Sequence, residues 1–183
     1  VKERPILFSG PMVRAILDGR KTQTRRLVKP QPPSNADLCL CKAKACGGNR
    51  KWHLPCPYGQ PGDRLWVRET IHVMQPRHDG DTGGVLYRAD GHADWIGKWT
   101  PSILMPRWAS RITLEIEEVR VERLNEISEE DAKAEGCDPD DDPNSSYYAE
   151  FRDIWQSINS PGSWAENPFV WVVTFRVLGK EAS

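Results

Sequence analysis

The stretch Phe169-Val170-Trp171-Val172-Val173-Thr174-Phe175-Arg176-Val177 is apolar on both sides of a strand alternation for most of its length. Phe169, Trp171, Val173, Phe175 and Val177 take one face; Val170 and Val172, followed by Thr174 and Arg176, take the other. A strand apolar on both faces needs cover above and below, so this segment belongs centrally in a sheet. Arg111 to Glu122 carries a second strand pattern, with Ile112, Leu114 and Ile116 on one face. The alternation slips at Glu117-Glu118 and resumes at Val119 and Val121. A β-bulge at the slip would return both halves to the same core face.

The rest of the chain supplies further strands and helices. Pro5-Ile6-Leu7-Phe8 reads as a short buried strand, and Arg64-Leu65-Trp66-Val67-Arg68-Glu69 as a half-buried one entered through a Pro-Gly-Asp turn. Pro11 suits a first helical turn, and Met12, Val13, Ile16 and Leu17 recur at helical spacing until Gly19 ends the segment in a left-handed cap. Ser128-Glu129-Glu130-Asp131 has the form of a capping box, opening a helix to Glu135 that Gly136 closes. Tyr148, Phe151, Trp155 and Ile158 mark the apolar face of a third helix. Proline, glycine and polar residues dominate two loop-rich insertions at about 30–63 and 75–105. In 183 residues this order predicts one α+β domain: a small curved or closed β-sheet with helices packed against it.

Charge is uneven along the chain although its formal sum is −1. Residues 1 to 30 hold eight Lys or Arg against Glu3 and Asp18, whereas residues 115 to 142 hold thirteen acids against Arg120, Arg123 and Lys133. The basic third could attract phosphate or nucleic acid; two solvated faces that balance for solubility are the plainer reading. No run of eighteen apolar residues is present, and the first residues lack the apolar core of a secretory signal, so a cytoplasmic protein with no membrane partner is expected.

Gly19-Arg20-Lys21-Thr22-Gln23-Thr24-Arg25-Arg26 releases a dense run of cations and hydroxyls directly after the first helix. Arg20, Arg25 and Arg26 could grip a phosphate through paired charge-assisted bonds, with Arg25 and Arg26 facing opposite ways if the backbone is extended. Trp66, Trp108 and Tyr87 are candidates to stack on a base, with Arg68 and Glu69 beside them as further binding residues, although packing is the commoner role for each. Trp155 and Trp171 are core residues. Cys39, Cys41, Cys46 and Cys56 could surround a zinc ion and order the first insertion. Their spacing departs from paired two-residue knuckles, so free thiols and no cofactor are the favoured reading.

Ile16-Leu17-Asp18-Gly19-Arg20-Lys21-Thr22-Gln23-Thr24-Arg25, Pro61-Gly62-Asp63-Arg64-Leu65-Trp66-Val67, the passage from Val119 to Gly136 and Val172-Val173-Thr174-Phe175 together resemble the ASCH domain family of PUA-like β-barrels. Cys56-Pro57-Tyr58-Gly59 and Pro106-Arg107-Trp108-Ala109-Ser110-Arg111 resemble longer members often encoded by prophages. The resemblance implies a barrel with a cleft between sheet and helices. It also implies one of two activities. Some members are amidohydrolases that deacetylate N4-acetylcytidine with a lysine, a threonine and a glutamate, which map onto Lys21, Thr24 and Glu135; others are RNA-binding or nuclease-like modules. In the first case Glu135 would activate water and carry the proton, Lys21 would face the oxyanion, or act as general base or nucleophile if neutral, and Thr24 would position water or substrate. Both Lys21 and Glu135 would sit at helix carboxyl ends, where the dipole favours protonation. The expected partner is a modified pyrimidine nucleoside or base in the first case, and RNA or single-stranded DNA in the second; the oligomeric state is left open.

Overall fold

The computed structural model describes residues 1–33, 55–75, 83–91, 97–139 and 145–179 with their side chains, and the backbone alone of Asp37–Cys39 and Lys51–His53. The architecture is α+β. Strand β1 is Glu3–Leu7, helix α1 Gly10–Leu17, β2 Gln23–Leu27, β3 Asp37–Cys39, β4 Lys51–His53, β5 Arg64–Arg68, β6 Ile71–Met74 and β7 Gly84–Tyr87. Then come β8 Thr113–Arg123, α2 Glu129–Ala134, α3 Tyr147–Asn159 and β9 Phe169–Leu178.

Five strands form the main sheet in the order β1-β5-β8-β9-β2; β1 and β5 run parallel and every other pair antiparallel. The doubly apolar strand β9 is interior, between β8 and β2, and Val170 to Val173 are each buried. One of its faces joins Val173 and Phe175 to Ile6, Phe8, Val13, Ile16, Leu65, Val67 and Leu114. The other joins Val170 and Val172 to Ala132, Phe151 and Trp155 of the later helices. Covering on both sides thus comes from α1 on one face and from α2 and α3 on the other. Pro5 lies in β1, an edge strand, where a missing N–H costs no ladder bond.

The β8–β9 register shifts between Ile116 and Glu118, at the slip in the alternation. Val119 accordingly packs against the same cluster as Leu114 and Ile116. A bulge increases local twist and bends the strand. The curl can be gauged from the two sheet edges: the Arg26 side chain of β2 donates from Nη2 to the Leu7 carbonyl of β1 at 3.0 Å. Laid flat, five strands would separate their edges by about 19 Å, beyond the reach of an arginine. Among the described residues the strand ladder itself does not close, so the sheet is curved with its rims joined by this side chain.

Two expectations need amendment. The second insertion contributes regular structure, strand β7, which forms an antiparallel hairpin with β6 just ahead of it, because Ile71, Val73, Val85 and Tyr87 find a small core with Met105 and Ala109. In the first, β3 and β4 pair in parallel. Helix α3 buries Phe151 and Trp155, but Ile158 in its last turn is 62% exposed. The apolar stripe there leaves the core and borders a cleft.

Candidate functional site

Two helices end side by side, and each ends on glycine. Gly19 (φ +73) donates to Ile16 O and Arg20 N–H to Ala15 O; Gly136 (φ +86) donates to Lys133 O and Cys137 N–H to Ala132 O. Both are Schellman caps, which reverse the chain sharply and satisfy the last carbonyls. Close approach of the two ends requires the second glycine: a Cβ on Gly136 would lie 2.9 Å from both Ala15 Cβ and Lys21 Cβ. Thr22 N–H donates to Ala134 O at 2.9 Å and fastens the end of α2 to the chain entering β2.

Between these ends Lys21 is driven inward and is 1% exposed. Its Nζ donates to Glu135 Oε2 at 2.7 Å, to the Glu135 carbonyl at 2.7 Å and to the Gln23 carbonyl at 2.8 Å, using all three donors. Nζ also lies 5.6 Å from the centre of the Phe8 ring. The carboxyl-end position expected for both residues is therefore observed, yet burial pushes the Lys21 ammonium below the ordinary lysine range, against the pull of the Glu135 carboxylate. Glu135 is itself buried, at the C-cap of α2.

Strand alternation then sorts the following residues. Gln23 and Arg25 share one face. All five guanidinium N–H groups of Arg25 are engaged: Nε and Nη2 with Glu122 Oε1 (3.0 and 2.6 Å), Nη2 also with Asp131 Oδ2 (2.9 Å), and Nη1 with Gln23 Oε1 (2.6 Å) and, at 3.4 Å, Glu135 Oε1. Arg120 reaches Glu122 and Asp131 from the opposite side at 3.1 Å each. Burial alone would raise the Asp131 carboxyl, but Arg25 and Arg120 outweigh it and hold it below the usual carboxylate range. Glu122, Asp131 and Glu135 of the acidic run at 115–142 are thus internal partners of Lys21 and Arg25 in the basic amino-terminal segment. Glu122, Asp131, Arg120 and Gln23 belong to the site and were not singled out in the sequence; the complementary charge of the two segments was the available signal.

Thr24 and Arg26 take the other face. Thr24 is fully buried, and its Oγ1 accepts from Arg26 Nη1 at 2.7 Å. Arg26 Nη1 also donates to the Arg25 carbonyl at 3.0 Å, and its guanidinium lies 5.2 Å from the Phe8 ring centre. A cleft of about 470 Å³ opens here, lined on its polar side by Arg25, Arg26 and Glu135 and on its apolar side by residues including Leu27, Ile154, Trp155 and Ile158. The volume suits a small molecule with a ring system. The Trp155 Nε1–H in this wall is buried with no partner among the described residues.

The other candidates lie elsewhere. Exposed Arg20 pairs with Asp18 and Asp138 at the outer surface of the two caps. Trp66 is only 8% exposed, with Arg68 and Arg107 stacked over its ring at 4.6 and 5.8 Å, so its face is taken. Arg68 donates to the Ile103 carbonyl. Both oxygens of buried Glu69 are held by Arg111 at 2.9 and 3.0 Å, and that same guanidinium covers Tyr87 at 3.9 Å. Trp108, at 69% exposure, keeps an open face. Trp155 and Trp171 are buried. Of the zinc candidates, Cys41 and Cys46 lie outside the described residues and Cys39 is described in its backbone alone; Cys56 is a half-buried free thiol. No metal-holding cluster occurs among the described residues, and none of their helices is long and apolar enough to cross a membrane.

No family model matches the sequence, and no curated protein does. Solved structures similar to the chain include a crystal structure of a protein from Enterococcus faecalis with the family description DUF984. It is 12% identical, with 100% of this chain and 86% of that one covered and a TM-score of 0.47. An ASCH domain from Lactobacillus crispatus is 15% identical, with 96% of this chain and 79% of that one covered and a TM-score of 0.42.

Proposed function

We propose that the protein is an amidohydrolase that removes an acyl group from the exocyclic nitrogen of an acylated cytidine or a related modified pyrimidine. The observation that carries this reading is the buried Lys21–Glu135 pair, whose carboxylate borders a cleft of about 470 Å³. Burying two charges is costly. A fold gains little stability from doing so, whereas a proton-transfer site gains a carboxylate whose orientation is fixed.

In this mechanism Glu135 takes a proton from water as its oxygen adds to the acyl carbonyl carbon. The tetrahedral intermediate then collapses, the C–N bond breaks, and Glu135 returns the proton to the departing exocyclic nitrogen, leaving a carboxylic acid and the free amine. Lys21 does not border the cleft, so its role is to hold the Glu135 carboxylate in orientation through the 2.7 Å bond to Oε2, rather than to face the oxyanion. Arg25, whose charge is offset by three carboxylates, donates from Nη1 to Glu135 Oε1 at 3.4 Å and so helps to fix that carboxylate at the cleft. Thr24 Oγ1 accepts from Arg26 Nη1 beside it.

Pairing of Arg4 with Asp63, Arg20 with Asp18, Lys21 with Glu135 and Arg25 with Glu122 supports a small substrate over a nucleic-acid polymer, which needs an open cationic track. The test is incubation of the pure protein with N4-acetylcytidine, followed by detection of cytidine. Wild type should turn over, and Lys21→Met, checked for native circular dichroism, should lose about 100-fold or more in kcat. Full activity in that variant refutes the assignment. No turnover by wild type, joined to salt-sensitive oligonucleotide binding, replaces it with a binding module.

A further inference from the structure

We infer that Arg26 is the receptor for a phosphate, and that the preferred ligand of the cleft is a pyrimidine nucleotide rather than the bare nucleoside. This rests on the reading of the cleft as a pyrimidine site and narrows its ligand class. Two arginines line the cleft on adjacent positions of β2, and their surroundings differ sharply. Arg25 has every N–H engaged and three carboxylates around it. Arg26 has no carboxylate within ion-pair distance among the described residues. Among the described residues its hydrogen bonds all go to neutral oxygens: Thr24 Oγ1, the Arg25 carbonyl and the Leu7 carbonyl. Its Nε–H and one N–H of Nη2 have no protein acceptor among the described residues, so two donors of a planar fork remain available.

A guanidinium keeps its charge at any physiological pH, and its fork matches the paired oxygens of a phosphate. Neutral carbonyls hold such a cation in place without neutralising it. The cleft therefore offers one uncompensated positive charge at its polar end and a largely apolar wall of Leu27, Ile154, Trp155 and Ile158 for a ring. A base on the wall and a phosphate at Arg26 satisfy both.

Arg26 Nη1 donates to the Thr24 hydroxyl oxygen at 2.7 Å. The donors left for a phosphate are on Nε and Nη2, so the Nη1 bond to Thr24 can hold the guanidinium while the anion binds.

Titration calorimetry with cytidine 5′-monophosphate, cytidine and inorganic phosphate tests the assignment without requiring turnover. Wild type should bind the nucleotide about 10- to 100-fold more tightly than cytidine, the worth of charge-assisted bonds, and more tightly than inorganic phosphate. This advantage should shrink with added salt, disappear in Arg26→Gln and return in part in Arg26→Lys. Equal affinity for nucleotide and nucleoside in wild type overturns the inference, as does an advantage that survives Arg26→Gln, equal binding of inorganic phosphate, or no nucleotide binding. Should Arg26→Gln fail to fold after losing its link between the sheet edges, the wild-type ratio, its salt dependence and the Lys variant still decide. Nucleotide preference without deacylation would sink the enzyme reading alone; deacylation without that preference would sink this one alone.

Discussion

Replacing Gly136 by alanine probes the junction on which the site is built. Two costs add. An L-residue in the left-handed region costs about 1–2 kcal/mol, and Gly136 has φ +86. The new methyl group would then lie 2.9 Å from Ala15 Cβ and 2.9 Å from Lys21 Cβ. Neither is the free end of a flexible chain; both are fixed to buried backbone, and relief must come from moving one helix end. Overpacking of this kind costs about 1–3 kcal/mol. The sum, about 2–5 kcal/mol, corresponds to a fall in Tm of roughly 5–15 °C for a chain of this size. Gly19→Ala is the matched control: φ is +73 but nothing lies within 4 Å of the added atom, so only the conformational cost of about 1–2 kcal/mol applies. Thermal and urea unfolding of the three proteins followed by circular dichroism measure the difference, with the urea m-value checked for constancy. Equal destabilisation by the two substitutions refutes the reasoning, because it would mean that the helix ends do not meet around Lys21.

Two further outcomes are expected. Asp63 accepts from Lys2 N–H at 2.8 Å, Arg4 Nη1 at 3.1 Å and Gln60 N–H at 3.3 Å, and the Lys2 bond chiefly holds its carboxyl below the ordinary 3.8. A depressed native pKa gives stability that is complete above the unfolded value and is lost as pH falls through the native one. Acid unfolding should therefore be less steep below pH 4 in Asp63→Asn than in wild type, and parallel curves would contradict this. The Cys137 thiol is pushed up to about 12, by burial first and by Glu150 and Glu135 next. It should stay unalkylated by iodoacetamide at pH 8 in the native protein and react on unfolding; mass mapping that finds rapid native modification would place it differently.

Local chemistry made much of the fold legible. Ser128 caps α2 through a bond from Asp131 N–H, Gly19 and Gly136 end their helices, and the slip at Glu117-Glu118 is the register shift of β8 against β9. Each depends on residues a few positions apart. Gln23–Leu27 was hidden for the opposite reason: Gln-Thr-Arg-Arg-Leu has no apolar alternation, because its inward residues are polar groups satisfied by partners about a hundred positions away. Lys21 and Glu135 became a pair on paper only through motif resemblance, and their burial could not be read there. Ile158 followed helical spacing faithfully yet faces a cleft, since periodicity tells which residues share a face and leaves open what that face meets.

The position of β9 carries a further consequence. Every other strand of the main sheet precedes it in the chain, and it inserts between β8, which leads to Glu135, and β2, which follows Lys21. Until that strand docks, the two halves of the site have no common scaffold, and their contact spans 114 positions. Contacts so distant in sequence form slowly, because loop-closure entropy is paid before they reward it. A chain lacking β9 has Lys21 and Glu135 but no shared sheet to bring them together, so their pairing depends on the docking of that strand.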